Sequence, residues 1–365
     1  MIFLSLELTS LSLYILTAFN KSSQPSAEAA LKYFLFGGMS AAFTLFGLSL
    51  LYGLAGSTNL GQIAASIRGP ALDPLLLLAI VLTVIGFGFK VAAAPFHLWA
   101  PDVYQGAPIP SAALIASGSK VASFFVFAKV MAIGFRGAEG SGGWQAYRPG
   151  WVPVLAIVAV ISMVLGNLAA IVQSSVRRLL AYSAIAHGGY MLLAVMTCGG
   201  LSLASLVYYA ITYGLTTLGA FGVVSLVQEW TGGDRLSDFA GLSRRAPALS
   251  FCMMVFMLSL AGIPPLAGFF GKFYIFSAAL SAPHGSNLLW LIVLALAMSA
   301  VSLYYYLQVL KQIYVAEAPA QGAASRTPVI AQIVVAVIAC AVLGLGCAPE
   351  WLIGKLNGVL QLSSL

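Results

Sequence analysis

The sequence predicts an all-α integral membrane protein with about ten transmembrane helices, on three observations. Hydrophobic residues make up 61% of the 365 positions and charged residues only 7%, against roughly 25% charged residues in a soluble domain. The mean hydropathy is +0.98, so lipid rather than water is the solvent for most of the surface. The apolar runs are long enough to cross a bilayer as helices, about 20 residues each, and lack the two-residue alternation of a transmembrane β-barrel.

Ten apolar segments predict the spans, which we letter A to J in chain order. The connections are short, so consecutive spans are expected to be neighbours, and the whole chain, 1–365, forms a single membrane domain. Span A lacks the positive start and small-residue cleavage site of a signal peptide, so we interpret it as a spanning helix. The predicted bounds are 1–20, 29–54, 74–98, 111–135, 151–173, 178–198, 202–228, 249–282, 287–312 and 328–347.

Spans C and H each contain a proline where the helix should open. Span C has Pro95 a few residues after Lys90, and span H has Pro264 and Pro265 before Lys272. Proline removes a backbone donor and clashes with the preceding turn, and an opened membrane helix persists only in protein or beside a wet cavity. Paired interrupted helices are typical of inverted-repeat transporters. We therefore predict two five-helix repeats: an incomplete first one in 1–135, a second in 151–312, and a final helix and tail in 328–365.

Several charged side chains lie within the predicted spans, where each costs about 2.5–3.5 kcal/mol at the bilayer centre. Desolvation favours the neutral form of a lysine, and a nearby carboxylate favours the ammonium form. Moving or screening that carboxylate would switch the lysine between holding and releasing a proton, which arginine cannot do as readily. The pattern therefore indicates proton transfer through Glu7, Lys32, Lys90, Lys120 and Lys272.

These charged residues are not equally strong candidates for proton transfer. Lys120 lies too deep in span D to reach the membrane surface, and Lys90 and Lys272 lie beside the two breaks. Glu7 is the only acid deep in any span and is therefore the natural partner for a lysine. Lys32 is ambiguous, because an i,i+4 pair with Glu28 at a helix end is a common structural device.

Lys129 and His187 are weaker candidates for proton transfer. Lys129 lies near the end of span D, and we interpret it as an anchor that extends towards the membrane surface. His187 in span F is a possible relay, because the unperturbed imidazole titrates near neutral pH. A lone membrane histidine is equally often a hydrogen-bond partner between helices, and the sequence does not separate these alternatives.

Other classes of site are not supported by the sequence. The net charge is +7, but the basic residues are scattered, so we expect no nucleic-acid partner. The cysteines form no CxxC pair and are interpreted as small buried residues, not metal ligands. No glycine-rich dinucleotide fingerprint follows a strand pattern, so we expect neither a metal nor a redox cofactor.

Three stretches of the sequence resemble the antiporter-like membrane subunits of respiratory complex I, a proton-pumping NADH:quinone oxidoreductase, and most of all the subunit N group of bacteria. The resemblance runs the whole length of the chain, and the Pro95–Pro108 stretch is its most specific part. The matching stretches are Ser26–Leu35, Gly86–Pro108 and Leu260–Phe273.

The resemblance implies a proton path along the middle of the membrane. Glu7 matches the family's acidic residue and is expected to pair with Lys90, and Lys32 matches an additional lysine typical of subunit N. Lys120 matches the central lysine, and Lys272 matches the terminal lysine on the second broken helix. Lysine at that last position favours the N group over subunit M.

The resemblance also implies the partners and the location. The chain would lie in the bacterial inner (cytoplasmic) membrane among other membrane subunits, which with their partners bind NADH and quinone, while this chain moves protons without redox chemistry. Compared with the family plan, the chain begins where the fifth span should, so we expect the first four transmembrane helices to be missing from this sequence. A misassigned start and a shortened family member both explain that difference.

Two alternatives to proton pumping by a respiratory complex follow. The same broken-helix plan occurs in subunits of multi-subunit cation/proton antiporters. A subunit that only holds a complex together is the other alternative, and it gains weight if the shortening is genuine.

Overall fold

A computed structural model describes residues 1–67, 73–143, 147–197, 200–282, 285–317 and 328–362 of the chain. Within these ranges the regular structure is helical, with two isolated β-bridges that join Ser141 to Arg148 and Ser175 to Arg235. The predicted all-α fold is confirmed. Cys198 and the last residues of the predicted tail, 363–365, lie outside the described ranges.

Sixteen α-helices are numbered here in chain order over the described residues. They are α1 Ile2–Thr17, α2 Gln24–Ala55, α3 Leu60–Ser66, α4 Pro74–Lys90, α5 Trp99–Gly106, α6 Ile109–Leu114, α7 Lys120–Lys129, α8 Trp151–Ile171, α9 Val176–Thr197, α10 Gly200–Thr231, α11 Leu242–Arg245, α12 Pro247–Ala261, α13 Ala267–Ser281, α14 Leu289–Tyr314, α15 Val329–Cys347 and α16 Pro349–Leu362.

Every predicted span corresponds to a helix, but not every helix is long enough to cross a bilayer alone. Among the described residues, seven helical segments have the length and composition of a membrane span, and α1, α4 and α12 are shorter apolar helices. Two of these short helices, α4 and α12, are the first halves of the spans that proline interrupts. The ten predicted spans therefore correspond, in the described residues, to seven long apolar helical segments and three shorter apolar helices.

Both predicted breaks are present. Helix α4 ends at Lys90 and α5 begins at Trp99, and α12 ends at Ala261 before α13 begins at Ala267. The chain turns through a left-handed residue in each break, Ala92 with φ 55° and Gly262 with φ 87°. The first discontinuous helix extends further than span C, because α5 continues to Gly106.

Span D contains an irregularity that the sequence did not predict. The segment Ile109–Gly134 is one continuous span, but α6 and α7 are joined by π-helical turns over Ile115–Ser119, and a second π-helical stretch covers Val130–Gly134. Such π-turns are frequent at functional sites. The first ends directly before Lys120.

Helix α16 is a second difference, because residues 349–362 were expected to be a tail. Its side chains include Trp351 and Lys355, with the lysine ammonium 4.3 Å from the centre of the tryptophan ring. A short amphipathic helix lacks the long apolar run that identifies a span. The cysteines also differ in part from expectation: Cys252 is buried, whereas Cys340 and Cys347 on α15 are exposed.

Helix α9 lies at the centre of the molecule, with 94% of its most apolar window buried. It packs closely on α8 through glycines. A Cβ atom on Gly166 would lie 2.6 Å from the Ala186 nitrogen, and one on Gly189 would lie 2.9 Å from the Ala159 oxygen. Small residues of this kind allow membrane helices to approach closely. This packing places His187 in the interior, 2% exposed.

Candidate functional site

At the first break, Lys90 forms an ion pair with Glu7. The Lys90 Nζ atom lies 2.9 Å from Glu7 Oε1, and the two side chains are 9% and 21% exposed. Lys90 is the last residue of α4, and its side chain faces α1. The same ammonium donates to the hydroxyl of Ser10 on α1. The predicted pairing of Glu7 with Lys90 is therefore present in the structure.

Lys120 is buried, and its contacts in the described part of the chain are with uncharged groups. Its residue exposure is 2%, and its ammonium donates to the carbonyl of Ala184 on α9. The ring centre of Tyr213 lies 5.5 Å from Nζ, which allows a cation–π contact. Among the described residues no carboxylate lies within ion-pair distance of this ammonium.

Lys272 is held by the second break itself. Its Nζ atom donates to the carbonyl oxygens of Leu260 and Ala261 at 3.0 Å each and to Ser299 Oγ at 2.8 Å. These carbonyls are at the C-terminal end of α12, where free acceptors and the helix dipole favour a cation. Gly262 makes the approach possible, because a Cβ atom there would lie 3.2 Å from Nζ.

His187 lies between the two buried lysines and is bonded on both ring nitrogens. Nδ1 lies 2.5 Å from Tyr209 Oη, and Nε2 lies 3.0 Å from Tyr306 Oη. These tyrosines belong to α10 and α14, so the histidine also joins helices. Both alternatives left open by the sequence are thus compatible with its contacts.

Aromatic rings connect this histidine to each lysine. The ring centres of His187 and Tyr213 are 5.0 Å apart, and Tyr213 is the ring that Lys120 faces. On the other side, the ring centres of His187 and Tyr190 are 5.7 Å apart, and Tyr190 lies 5.3 Å from Lys272 Nζ. We call Lys120, Tyr213, His187, Tyr190 and Lys272 the central row.

Lys32 lies apart from the central row, in an exposed cluster of charges. Its Nζ atom is 2.7 Å from Glu28 Oε1 and 2.7 Å from Asp102 Oδ2, and its side chain is 39% exposed. Asp102 on α5 also accepts from Arg178 of α9 at 2.9 Å. The i,i+4 pair with Glu28 is therefore present, and a second acidic partner is added to it.

Sequence reasoning missed the polar partners in this site. The tyrosines 190, 209, 213 and 306 lie within predicted spans, where a tyrosine also reads as an ordinary aromatic core residue. Asp102 lies inside the most specific stretch of the resemblance, but its position relative to Lys32 depends on the fold of α5. Tyrosines in the middle of a span were the one available signal, because a buried hydroxyl needs a partner.

The arrangement combines two kinds of lysine environment. A carboxylate stabilises an ammonium group by charge as well as by hydrogen bonding, whereas carbonyl and hydroxyl oxygens provide hydrogen bonds only. Lys90 has the first environment, and Lys120 and Lys272 have the second. Hydroxyl and imidazole groups that both donate and accept lie between the two buried lysines. The contacts along the central row are between rings and ammonium groups: among the described residues the Tyr213 hydroxyl has no hydrogen-bond partner, and the Tyr190 hydroxyl accepts from Asn167. Proton transfer along the row therefore requires water molecules or side-chain rearrangement between these groups.

Comparisons with known proteins agree with this architecture. The family model described as "NADH:quinone oxidoreductase/Mrp antiporter, TM" matches residues 1–301. The chain is 60% identical over 352 residues to NADH-quinone oxidoreductase subunit N 2 of Acidobacterium capsulatum, covering 96% of this chain and 71% of that relative. It is 40% identical over 382 residues to subunit N 1 of Roseiflexus castenholzii, covering 99% and 70%.

Solved structures of membrane complexes contain chains of the same fold. A chain of respiratory complex I from Thermus thermophilus matches with a TM-score of 0.80 and 39% identity, over 97% of this chain and 74% of that one. A chain of the Mrp complex from a Dietzia species matches with a TM-score of 0.84 over 98% and 72%, and its 21% identity shows the fold alone. The chain therefore belongs to the NADH:quinone oxidoreductase/Mrp antiporter family of membrane subunits, and within it to the subunit N group.

Proposed function

We propose that this chain is the proton-translocating subunit N of a bacterial respiratory NADH:quinone oxidoreductase, and that Glu7, Lys90, Lys120, His187 and Lys272 carry the protons. The single observation that supports this most is the central row, in which two buried lysines flank a histidine and have no counter-charge among the described residues. A structural subunit has no need of such groups, because each buried charge costs several kcal/mol.

The proposed coupling starts at the first break. Electron transfer in partner subunits, which bind NADH and quinone, changes the electric field at one end of the chain. The Glu7–Lys90 pair responds, because its geometry fixes how strongly the carboxylate stabilises the ammonium. The change then reaches Lys120 and passes along the central row to Lys272. No redox step occurs in this chain.

The proposal also includes the role of Lys32 and the division of the chain into two repeats. Lys32 is assigned to the exposed margin of the path, where Asp102 and Glu28 hold its ammonium. The chain is divided into a first repeat at 1–135, a second repeat at 151–312, and a final part at 328–365. The two discontinuous helices, α4–α5 and α12–α13, support that division because each repeat contains one of them.

Replacement of Lys120 by alanine tests the proposal. NADH-driven proton uptake by membrane vesicles is expected to fall to background, while the amount of assembled complex stays close to wild type. Lys129→Ala is the matched control, because Lys129 lies on the same helix, α7, but is exposed. Normal pumping by assembled Lys120→Ala complexes would refute the role of the central lysine.

A second candidate is a subunit of an Mrp-type cation/proton antiporter. The matching family model covers both kinds of protein, and the fold of the Dietzia chain is the same. Sodium-dependent proton exchange in vesicles without NADH would select this candidate. Pumping that survives removal of Lys90, Lys120 and Lys272 together would instead indicate a subunit that only holds the complex together.

A further inference from the structure

The hydroxyl of Tyr306 on α14 lies between two polar side chains of the central helix α9. It is 3.0 Å from His187 Nε2 and is hydrogen-bonded to the hydroxyl of Ser183. On the other side of the imidazole, the hydroxyl of Tyr209 on α10 bonds to Nδ1. All four side chains are at most 2% exposed. We call Tyr209, His187, Tyr306 and Ser183 the hydroxyl chain.

The hydroxyl chain differs from the central row in the kind of contact that reaches the imidazole. Tyr213 and Tyr190 contact His187 through their rings, with centres 5.0 and 5.7 Å away, and a contact between rings has no hydrogen bond for a proton to follow. The hydroxyls of Tyr209 and Tyr306 lie at hydrogen-bond distance from the two ring nitrogens. These two hydroxyls therefore decide the hydrogen bonding of the imidazole.

Ser183 differs from other buried hydroxyl residues of the spans. Within a helix, a buried serine or threonine commonly donates to the carbonyl one turn earlier, as Ser162 does to Val158. In the described part of the chain the Ser183 hydroxyl bonds instead to Tyr306, across the helix interface. Because its hydrogen is not committed to α9, this hydroxyl is able to act as either donor or acceptor towards Tyr306.

The direction of these hydroxyls and the tautomer of His187 are linked. A neutral imidazole has one N–H donor and one acceptor nitrogen, and a tyrosine hydroxyl has one hydrogen to donate. When Tyr306 donates to Ser183, it accepts from Nε2–H, so Nδ1 is the basic nitrogen and accepts from Tyr209. When Ser183 donates to Tyr306, Tyr306 donates to Nε2, and Nδ1 carries the hydrogen. These are the two arrangements in which the Tyr306 hydrogen is used within the hydroxyl chain.

The two ring nitrogens face different helices. Tyr209, which bonds to Nδ1, lies against α13: its ring occupies the position that a Cβ atom on Gly271, the residue before Lys272, would take. Tyr306, which bonds to Nε2, belongs to α14. The tautomer therefore decides whether His187 takes up a proton on the side of α13 or on the side of α14.

We propose that Ser183 and Tyr306 are positioning residues for proton transfer: the direction of their hydroxyls sets which ring nitrogen of His187 is basic. This inference deepens the proposed function and rests on it. With the hydroxyl hydrogens directed towards Ser183, His187 accepts a proton at Nδ1, on the side of Lys272. With the hydroxyls reversed it accepts one at Nε2, so the two hydroxyls control the side from which His187 is loaded.

Removal of the Tyr306 hydroxyl tests the positioning role. Tyr306→Phe keeps the buried ring, so the complete complex should assemble, but Nε2 loses its partner and Ser183 is disconnected from the imidazole. NADH-driven proton pumping in membrane vesicles, corrected for the amount of assembled complex, should fall about tenfold for the loss of about one hydrogen bond. Tyr305→Phe is the matched control, because this neighbouring tyrosine is also buried, 1% exposed, and donates to Asn167. Its pumping should stay within about twofold of wild type.

A double variant separates positioning through Tyr306 from a structural role of Ser183. Ser183→Ala removes the acceptor that draws the Tyr306 hydrogen away from the imidazole, so His187 is held in the tautomer with hydrogen on Nδ1. Pumping should then fall about fivefold. In Tyr306→Phe/Ser183→Ala the loss should equal that of Tyr306→Phe alone, because Ser183 acts through the tyrosine hydroxyl. An independent packing role of Ser183 would multiply the two losses instead.

The solvent isotope effect on pumping provides a second readout. A smaller amount of correctly folded protein lowers pumping equally in light and heavy water, whereas slowed proton transfer makes that step limit the rate. The ratio of the pumping rates in light and heavy water should therefore rise in Tyr306→Phe and stay at the wild-type value in Tyr305→Phe. An unchanged ratio in Tyr306→Phe would overturn the positioning role.

The outcomes distinguish this inference from the proposed function. Normal pumping by Tyr306→Phe or Ser183→Ala, an equal loss in Tyr305→Phe, failure of Tyr306→Phe to assemble, or multiplied losses in the double variant would each overturn the positioning role. If Lys120→Ala abolishes pumping in the same assay while one of these results is found, the proposed function stands and only the positioning role fails. If Lys120→Ala pumps normally, the function itself fails.

Discussion

The two discontinuous helices solve the same structural problem with different chemistry. In α4–α5 the lysine is the last residue of the first half and pairs with a carboxylate on α1. In α12–α13 the lysine comes from the second half, turns back across the break and binds the carbonyls that the first half leaves free. The first break thus holds an ion pair, and the second holds a cation among neutral acceptors.

This difference indicates a division of labour along the chain. The strength of an ion pair depends on its geometry and on the local field, so the Glu7–Lys90 pair is suited to receive a signal. Carbonyls fixed by a helix end change little, so Lys272 is suited to hold and release a proton in a constant environment. The backbone shows a parallel contrast, since a left-handed alanine serves the first break and a left-handed glycine the second.

Removal of the carboxylate at the first break should have the largest effect. Glu7→Gln leaves the Lys90 ammonium largely buried without a counter-charge, which costs about 3 kcal/mol, the low end for a buried pair because Glu7 is partly exposed. Thermal unfolding of the purified chain in detergent should show the loss, and proton pumping should fall with it.

The double variant Glu7→Gln/Lys90→Gln sharpens this result. It removes both charges, so the stability should return towards wild type while pumping stays low. Recovery of pumping in the double variant would mean that the pair is structural, and the contrast between the two breaks would lose its functional meaning.

A methyl group at the second break should have the next largest effect. Gly262→Ala combines a left-handed backbone with a Cβ atom 3.1–3.2 Å from the Lys272 side chain, and we expect a loss of about 2 kcal/mol in the free energy of unfolding. Gly56 is the control, because it is also left-handed but has nothing within 4 Å. Gly56→Ala should lower the free energy of unfolding by about 1 kcal/mol. Equal losses in the Gly56→Ala and Gly262→Ala variants would contradict the close approach of Lys272 to Gly262.

Removal of the Ser299 hydroxyl beside Lys272 should have a smaller effect than the substitutions at Glu7 and Gly262. Ser299→Ala removes one of three acceptors of the ammonium, which corresponds to about 1 kcal/mol and a several-fold loss of pumping. Ser302→Ala on the same helix is the control, because the Ser302 hydroxyl donates only to the Ser299 carbonyl. A larger loss from Ser302→Ala than from Ser299→Ala would show that the Lys272 contact is unimportant.

The breaks could be predicted from a local rule, because prolines open helices wherever they occur in a span. The single deep acid, Glu7, indicated only that a lysine would be its partner, and the choice of Lys90 came from the family resemblance. The sequence did not predict the π-turns before Lys120, because no proline or glycine pattern fixes them. The contacts of Lys120 with Ala184 and of His187 with Tyr209 and Tyr306 depend on helix packing across long sequence separations, and no local signal specifies that packing.

The central claim is that one path joins the two breaks through His187, and the substitution His187→Gln tests it most directly. Glutamine retains hydrogen-bonding groups that can reach Tyr209 and Tyr306, but unlike an imidazole it has no nitrogen that can both take up and pass on a proton. The measurement is NADH-driven proton pumping by the complete complex, with the assembled amount determined alongside. We expect normal assembly with pumping reduced at least about tenfold, a loss of about 1.4 kcal/mol or more in transition-state stabilisation. Normal pumping by this variant would contradict the path and leave His187 as a bond between helices.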